Sequence, residues 1–144
     1  MIGTVAVATD GSDTAAKAVE FALDLASRYE AKIVFISAFK PVADSQLKRE
    51  ARDAPDDVQW QINPAESVEP ALREDGEEAG ERGLKWDCEA REGDATKVIV
   101  DLAEKHSADV LVMGNKGMSR KVLGSVPNSV SHKAGCHVLI VKTT

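Results

Sequence analysis

The sequence predicts an α/β protein in which a parallel sheet carries helices on both faces. Short apolar runs alternate along the chain with segments of helical periodicity, which is the pattern of repeated strand–helix–strand units. The runs at residues 4–8 and 110–113 are almost wholly apolar, as expected of strands buried on both faces. With 144 residues, 43% of them hydrophobic, the chain suits one core, and we expect residues 1–144 to form one domain.

The first strand–helix–strand unit ends before residue 40. Residues 4–8 form the predicted first strand, and Ser12 or Asp13 can cap the helix that follows. Apolar residues recur at helical spacing up to Tyr29 and predict an amphipathic helix. Residues 31–39 then contain a second buried strand.

The middle of the chain is more polar. Residues 40–63 are predicted to be a long surface excursion, because they show no sustained period. A helix is predicted to start at residues 67–70, since proline is tolerated in a first turn. Three glycines weaken this helix, namely Gly76, Gly80 and Gly83. Residues 84–91 form a third strand, whose polar side chains place it near an edge of the sheet.

The last third of the chain repeats the alternation. After a turn at Gly93 and Asp94, a helix is predicted from one apolar face. That face consists of Val98, Ile99, Leu102 and Ala103. Residues 109–113 form the fourth strand, residues 126–134 a short helix, and residues 137–141 the last strand.

Charge and cysteine content narrow the class of protein. The net charge of −6 and the pI near 5.1 argue against binding to nucleic acid or to an anionic membrane surface. No apolar run is long enough to span a membrane, and the N-terminus lacks a signal-peptide pattern. Cys88 and Cys136 are far apart and favour two reduced thiols in a cytoplasmic protein over a disulfide or a metal site.

Two loops carry chemistry suited to a nucleotide. Residues 114–125 join a buried strand to a helix through a glycine-rich loop, which lets the backbone approach a phosphate. Lys116, Arg120 and Lys121 add positive charge there. Asp10 ends the first strand, where a carboxylate can accept from ribose hydroxyls or a base amine. Singly, these residues would serve equally well in turns and caps, but together they favour a nucleotide-type site.

The chain resembles the universal stress protein family over nearly its whole length. The resemblance is carried by Val-Ala-Thr-Asp-Gly-Ser at residues 7–12, Ala-Asp-Val-Leu-Val-Met-Gly at residues 108–114, Gly-Ser-Val-Pro-Asn at residues 124–128 and Cys-His-Val-Leu-Ile-Val at residues 136–141. It implies a Rossmann-like three-layer α/β/α sandwich with a five-stranded parallel sheet in the order 3-2-1-4-5. It also implies a homodimer formed by antiparallel pairing of the last strands, here the run from His137 to Thr143.

The resemblance also implies a set of nucleotide-binding residues. By it, Asp10 would contact the nucleoside and Ala38 would lie beside the base, while Met113 and Gly114 would line the floor. Phosphates would be held by the glycine loop and the helix that follows it. Together with the basic side chains of that loop, the predicted set is Thr9, Asp10, Gly11, Ser12, Ala38, Met113, Gly114, Lys116, Gly117, Arg120, Gly124, Ser125, Val126 and Pro127.

The spacing of the glycines departs from that of the ATP-binding branch of the family. That branch carries glycine, two residues, glycine, nine residues, and then glycine with Ser or Thr. Here only six residues separate Gly117 from Gly124. A shorter loop could hold ATP, with Mg²⁺, or favour a smaller anion such as AMP. Some actinobacterial members look similar at residues 114–115 and 125–127 and are linked to cyclic AMP, so all three nucleotides stay open.

Three classes of function follow from these patterns. The leading hypothesis is a nucleotide-binding protein that acts in stress response or signalling through a homodimer and is not a dedicated enzyme. The second is a nucleotidyl transferase or a slow, at most weak, ATPase, although the sequence has no Walker lysine motif and no group of acids around the basic loop. The third is a nucleotide-free dimeric interaction protein in which the short loop is vestigial.

Overall fold

Strands and helices alternate throughout the computed structural model, which describes residues 1–10, 13–39, 65–115 and 125–143. Its strands are β1 (Thr4–Ala8), β2 (Lys32–Phe39), β3 (Trp86–Glu92), β4 (Val110–Gly114) and β5 (His137–Val141). Its helices are α1 (Asp13–Tyr29), α2 (Ala65–Glu81), α3 (Ala95–Lys105) and α4 (Ser125–Lys133). In these ranges, no helix has the length and apolar character needed to cross a membrane. The excursion predicted for residues 40–63 lies outside the described residues.

The five strands pair in parallel, in the order β3-β2-β1-β4-β5. The α/β fold class and the strand order implied by the family resemblance are therefore confirmed. β1 occupies the centre, with Ala8 opposite Ile36 of β2 and Val7 opposite Val112 of β4. Both neighbours of β1 are thus buried strands, as the apolar runs predicted.

The side chains of β1 divide the core in two. Val5 and Val7 pack with residues of α1 and α2 on one face, whereas Ala6 and Ala8 pack with residues of α3 and α4 on the other. Successive side chains of a strand point to opposite faces of the sheet. Because helices cover both faces, every one of these four positions must be apolar, and the three-layer arrangement follows.

The two edge strands differ in character. β3 carries Asp87, Glu89 and Arg91 and lies at one edge, as its polar sequence predicted. β5 lies at the other edge and is apolar after His137, with side chains that stay partly exposed. Charged side chains on an edge strand discourage pairing with another chain, so the β5 edge is the better suited of the two for pairing.

Helix α2 begins earlier than predicted. The prediction put its start at residues 67–70, with Pro70 in the first turn, but the helix begins at Ala65 and Pro70 lies inside it. A proline inside a helix removes one backbone hydrogen bond. Val68 and Leu72, on either side of it, are buried against the core at 6% and 1% exposure. Tertiary packing therefore outweighs the local start signal.

The glycines of α2 have different roles. A Cβ on Gly76 would overlap the ring carbons of Trp86 in β3, so Gly76 provides the space into which the indole packs. A Cβ on Gly80 would lie 3.4 Å from the indole nitrogen, at the limit of ordinary van der Waals contact. Gly83 follows the helix with a φ of +80°, a left-handed conformation that favours glycine.

We expect Gly76→Ala to destabilise the protein and Gly80→Ala to stabilise it or leave it unchanged. Alanine gains up to about 1 kcal/mol in helix propensity at either site. At Gly76, however, overpacking against Trp86 costs about 1–3 kcal/mol. Urea unfolding of both variants and the parent measures the difference. Equal stabilisation by both alanines would contradict the packing role of Gly76.

Asp75 makes α2 sensitive to pH. Burial, aided by the Glu78 and Glu74 carboxylates, raises the pKa of Asp75 from 3.8 to about 6. The folded state therefore holds this proton more tightly than the unfolded state does. The resulting contribution to stability is complete below the ordinary pKa and is lost as the pH rises through about 6.

Asp75→Asn should remove this part of the pH dependence. Between about pH 4 and 7, the free energy of unfolding of the parent should fall relative to that of the variant. Urea unfolding at a series of pH values tests this, with Glu77→Gln, an exposed position on the same helix, as the matched control. Parallel pH curves for the parent and Asp75→Asn would refute the elevated pKa.

Candidate functional site

The strand order predicts a ligand-binding crevice between β1 and β4. From β1 the chain continues to β2 and β3 on one side, and β4 and β5 lie on the other side. The order therefore reverses between β1 and β4. In open α/β sheets, ligands bind at such a point, outside the carboxyl ends of the strands. The two loops singled out from the sequence follow these same two strands.

Asp10 lies at the rim of this crevice. The residue before it is fixed, since Thr9 is 2% exposed and its N–H donates to the carbonyl of Ile36 at 3.0 Å. Ala8 lies opposite Ile36, and the register continued by two residues puts Asp10 level with Ala38 of β2. Asp10 is partly exposed, so its carboxylate can accept hydrogen bonds from hydroxyl or amine groups of a ligand.

An apolar floor lies beneath the crevice. Ala38, Met113 and Val126 are exposed at 1%, 0% and 3% and belong to one cluster between the sheet and helices α3 and α4. Because other parts of the protein already cover these side chains, a ligand in the crevice would contact the backbone atoms of these residues. Gly114 ends β4, and a Cβ there would lie 3.1 Å from Cγ2 of Thr143. Its missing side chain makes room for Thr143.

The first turn of α4 lies at the carboxyl edge and includes Pro127, which has no backbone N–H. Ser125 begins the helix and is exposed, whereas Val126 and Pro127 are buried and hold this turn on the core. The first N–H groups of a helix have no partner within the helix and attract anions. The Ser125 hydroxyl can donate to the same anion. This turn is therefore suited to a phosphate oxygen.

The structure places part of the predicted site. The described members come from the carboxyl edge of the sheet and from α4, and they are Thr9, Asp10, Ala38, Met113, Gly114, Ser125, Val126 and Pro127. The members outside the described residues are Gly11, Ser12, Lys116, Gly117, Arg120 and Gly124. The binding role of each member stays a prediction.

The structure contains a buried polar contact at Asn115 that the sequence did not predict. Asn115 is fully buried directly after β4, and its N–H donates to the carbonyl of Val141 at 3.1 Å. Its Oδ1 accepts from the backbone N–H of Thr143 at 2.8 Å and from the Thr143 hydroxyl at 2.7 Å. The available signal was an amide side chain directly after a buried strand, with a threonine just beyond the next strand.

Two cavities lie at the opposite, amino edge of the sheet. One, of about 390 Å³, lies between the C-terminal ends of α3 and α4 and reaches Cys136. The other, of about 420 Å³, lies between the ends of α1 and α2. Helix C-termini carry partial negative charge, which disfavours a phosphate. The second cavity is nevertheless lined by Lys32, Arg82 and Lys85, so helix dipoles alone do not decide which edge an anion prefers.

The two cysteines are unpaired thiols at opposite edges of the sheet. Cys88 lies in β3 and Cys136 immediately precedes β5. Burial raises the pKa of both thiols, so they stay protonated at neutral pH. In the part of the chain that the structure describes, no group of three His, Cys, Asp or Glu side chains could hold a metal ion.

Comparisons with known proteins agree on one family. The model of the universal stress protein family matches residues 1–142. Universal stress protein Rv1636 of Mycobacterium tuberculosis is 36% identical over 146 aligned positions, which cover 98% of this chain and 97% of that protein. A crystal structure of a universal stress protein in complex with cAMP is 32% identical, with a TM-score of 0.75 and 99% of each chain covered. A universal stress protein structure from Archaeoglobus fulgidus shares the fold, with a TM-score of 0.73 at 19% identity, covering 99% of this chain and 100% of that one.

Proposed function

The chain belongs to the universal stress protein family, as its resemblance predicted, and from this premise we propose that it binds an adenine nucleotide between β1 and β4. One observation carries the proposal. Asp10 and Gly114 lie at the carboxyl ends of two adjacent buried strands, at the point where the strand order reverses. That position supports a ligand that is polar at one end and anionic at the other.

The described residues suggest how such a ligand is oriented. The Asp10 carboxylate would accept from the ribose hydroxyls or the adenine amine, because an ionised carboxylate is an acceptor only. The phosphate would lie toward the first turn of α4, where Ser125 is exposed and the helix N-terminus favours an anion. Between them, the backbone of Ala38 and of Met113 would lie beneath the base, on a core that their side chains fill.

Cyclic AMP is the nucleotide that the comparisons favour. The 32% identical structure, matched over 99% of this chain, is a complex with that ligand. A single cyclic phosphate needs fewer donors than a triphosphate does, which suits a loop with six residues between Gly117 and Gly124. AMP, and ATP with Mg²⁺, are the competing ligands.

The proposal includes a homodimer formed through β5. Val141 and Thr143 both direct backbone groups to Asn115 on the β4 side. Because backbone groups alternate in direction along a strand, the N–H of Lys142 points to the free edge. The side chains of β5 after His137 are apolar and partly exposed. Antiparallel pairing with a second copy would cover them and satisfy the free edge.

We assign this dimer a role in stress response or signalling in the cytoplasm. It acts by binding a nucleotide and presenting a changed surface to partners, without dedicated catalysis. Long incubation with Mg²⁺-ATP tests this assignment. Multiple-turnover product formation by the purified protein, lost in Asp10→Ala, would replace it with the enzyme hypothesis.

Asp10→Ala is expected to weaken cyclic AMP binding and leave the fold intact. Loss of a charged hydrogen-bond acceptor costs about 1–3 kcal/mol, roughly a five- to 150-fold rise in Kd. Isothermal titration of the parent and variant measures it. Asp24→Ala, at an exposed carboxylate of α1 that pairs with Arg28, is the matched control. Unchanged affinity with a lowered Tm would make Asp10 a turn residue.

Lys142→Pro is expected to shift the dimer toward monomer. Proline has no N–H, so it removes a donor from the free edge and leaves the bonds to β4 in place. Lys142→Ala keeps the N–H and should stay dimeric, which separates backbone pairing from charge. Sedimentation equilibrium at micromolar concentration reads out both variants. A monomeric parent would contradict the dimer.

A further inference from the structure

We propose that Asn115 and Thr143 couple the nucleotide site to the β5 edge, so that ligand binding and dimerisation strengthen each other. The inference rests on the proposed function and adds a regulation to it. Asn115 and Thr143 connect β4, which borders the crevice, to the tail of β5, which borders the free edge. We call their contact the Asn115–Thr143 latch.

The latch is built around one buried acceptor. Oδ1 of Asn115 takes the place that a backbone carbonyl would have in an extended ladder and accepts the Thr143 N–H at 2.8 Å. It also accepts the Thr143 hydroxyl at 2.7 Å. Asn115 and Thr143 are 0% and 4% exposed, so water cannot replace either bond without opening the tail. If the Asn115 side chain moves away, both Thr143 donors lose their acceptor at once. A buried donor without an acceptor lowers the stability of the folded state.

The latch also reaches the helix that follows the Asp10 loop. The ammonium of Lys17 in α1 donates to the Thr143 carbonyl at 3.3 Å. The Thr143 methyl packs above Gly114, where a Cβ would lie 3.1 Å away. Thr143 is thus held by the segments that follow both β1 and β4.

A ligand in the crevice acts on the latch through Asn115. Contacts with Gly114, the neighbour of Asn115, favour the backbone position in which Oδ1 meets Thr143. That position orders the tail and, with it, the outward N–H of Lys142 between Val141 and Thr143. Coupling between two sites is reciprocal. The dimer must therefore bind the nucleotide more tightly than the monomer does, by the same factor by which the nucleotide tightens the dimer.

The experiment measures this factor in the full-length protein. Sedimentation equilibrium gives the dimer Kd of the parent with and without saturating cyclic AMP, and AMP and ATP are run in parallel. The expected result is a dimer Kd lowered about fivefold or more by the bound nucleotide. Asn115→Ala, which removes the acceptor, should reduce the factor to one. Thr143→Val, which removes one donor, should reduce it in part.

Thr143→Ser is the matched control. It keeps both donors and loses only the methyl group above Gly114, so it should keep the coupling. If Asn115→Ala does not fold, the comparison of Thr143→Val with Thr143→Ser tests the latch in its place. A second readout is hydrogen exchange of the Thr143 amide, which cyclic AMP should slow in the parent but not in Asn115→Ala.

The failures of the two proposals are distinguishable. A parent that binds nucleotide and dimerises, but whose dimer Kd does not change with ligand, overturns the coupling and leaves the proposed function standing. Undiminished coupling in both Asn115→Ala and Thr143→Val overturns the latch as its route. A parent that binds none of the three nucleotides, or never dimerises, overturns the proposed function and the coupling with it.

Discussion

The pairing of β1 with β4 is the contact on which the rest of the structure depends. At the amino edge, the Asp109 carboxylate accepts the N–H groups of Gly3 and Thr4 at 2.8 and 2.9 Å, and these bonds lower its pKa. The Asp109 N–H donates to the Thr4 carbonyl at 2.9 Å. These bonds align two strands from opposite halves of the chain. The register that results brings Asp10 and Gly114 to either side of the crevice.

The same sheet brings the proposed nucleotide site and the proposed dimer edge close together. β4 has the crevice on one side and β5 on the other, so its last residues belong to both. Charges on β3 leave the β5 edge as the better edge for pairing. The buried amide of Asn115 then ties the tail of β5 to the end of β4. A short strand between these two proposed surfaces has little capacity to move one without the other.

Patterns that depend on local burial were predictable from the sequence. β1 and β5 span the predicted residues 4–8 and 137–141, because an apolar run rich in β-branched residues favours a strand. Contacts between residues far apart in the sequence were not predictable in this way. From the sequence, Gly76 is predicted only to weaken α2. Its packing role depends on the indole of Trp86, which belongs to β3 and fills the space beside it. The start of α2 was misplaced because burial of Val68 outweighs the proline signal.

The candidate site also contains parts that local sequence patterns predict and parts that depend on long-range contacts. The strand order and the loops after β1 and β4 follow from the pattern and the family resemblance, so Asp10 and Gly114 could be named in advance. The contact of Asn115 with Thr143 could not, because it exists only once β4 and β5 are paired side by side. The sequence shows an amide after one strand and a threonine after the next, but it does not show that the two side chains meet.

The central claim is that a nucleotide binds at the carboxyl edge between β1 and β4. An NMR titration of the uniformly ¹⁵N-labelled protein with cyclic AMP tests it most directly. We predict saturable shifts of the amide signals of Thr9, Asp10, Gly114 and Asn115. Shifts confined to the amino edge, around Ala103 and Cys136 in the cavity between α3 and α4, would contradict it, as would the absence of shifts with cyclic AMP, AMP and ATP alike.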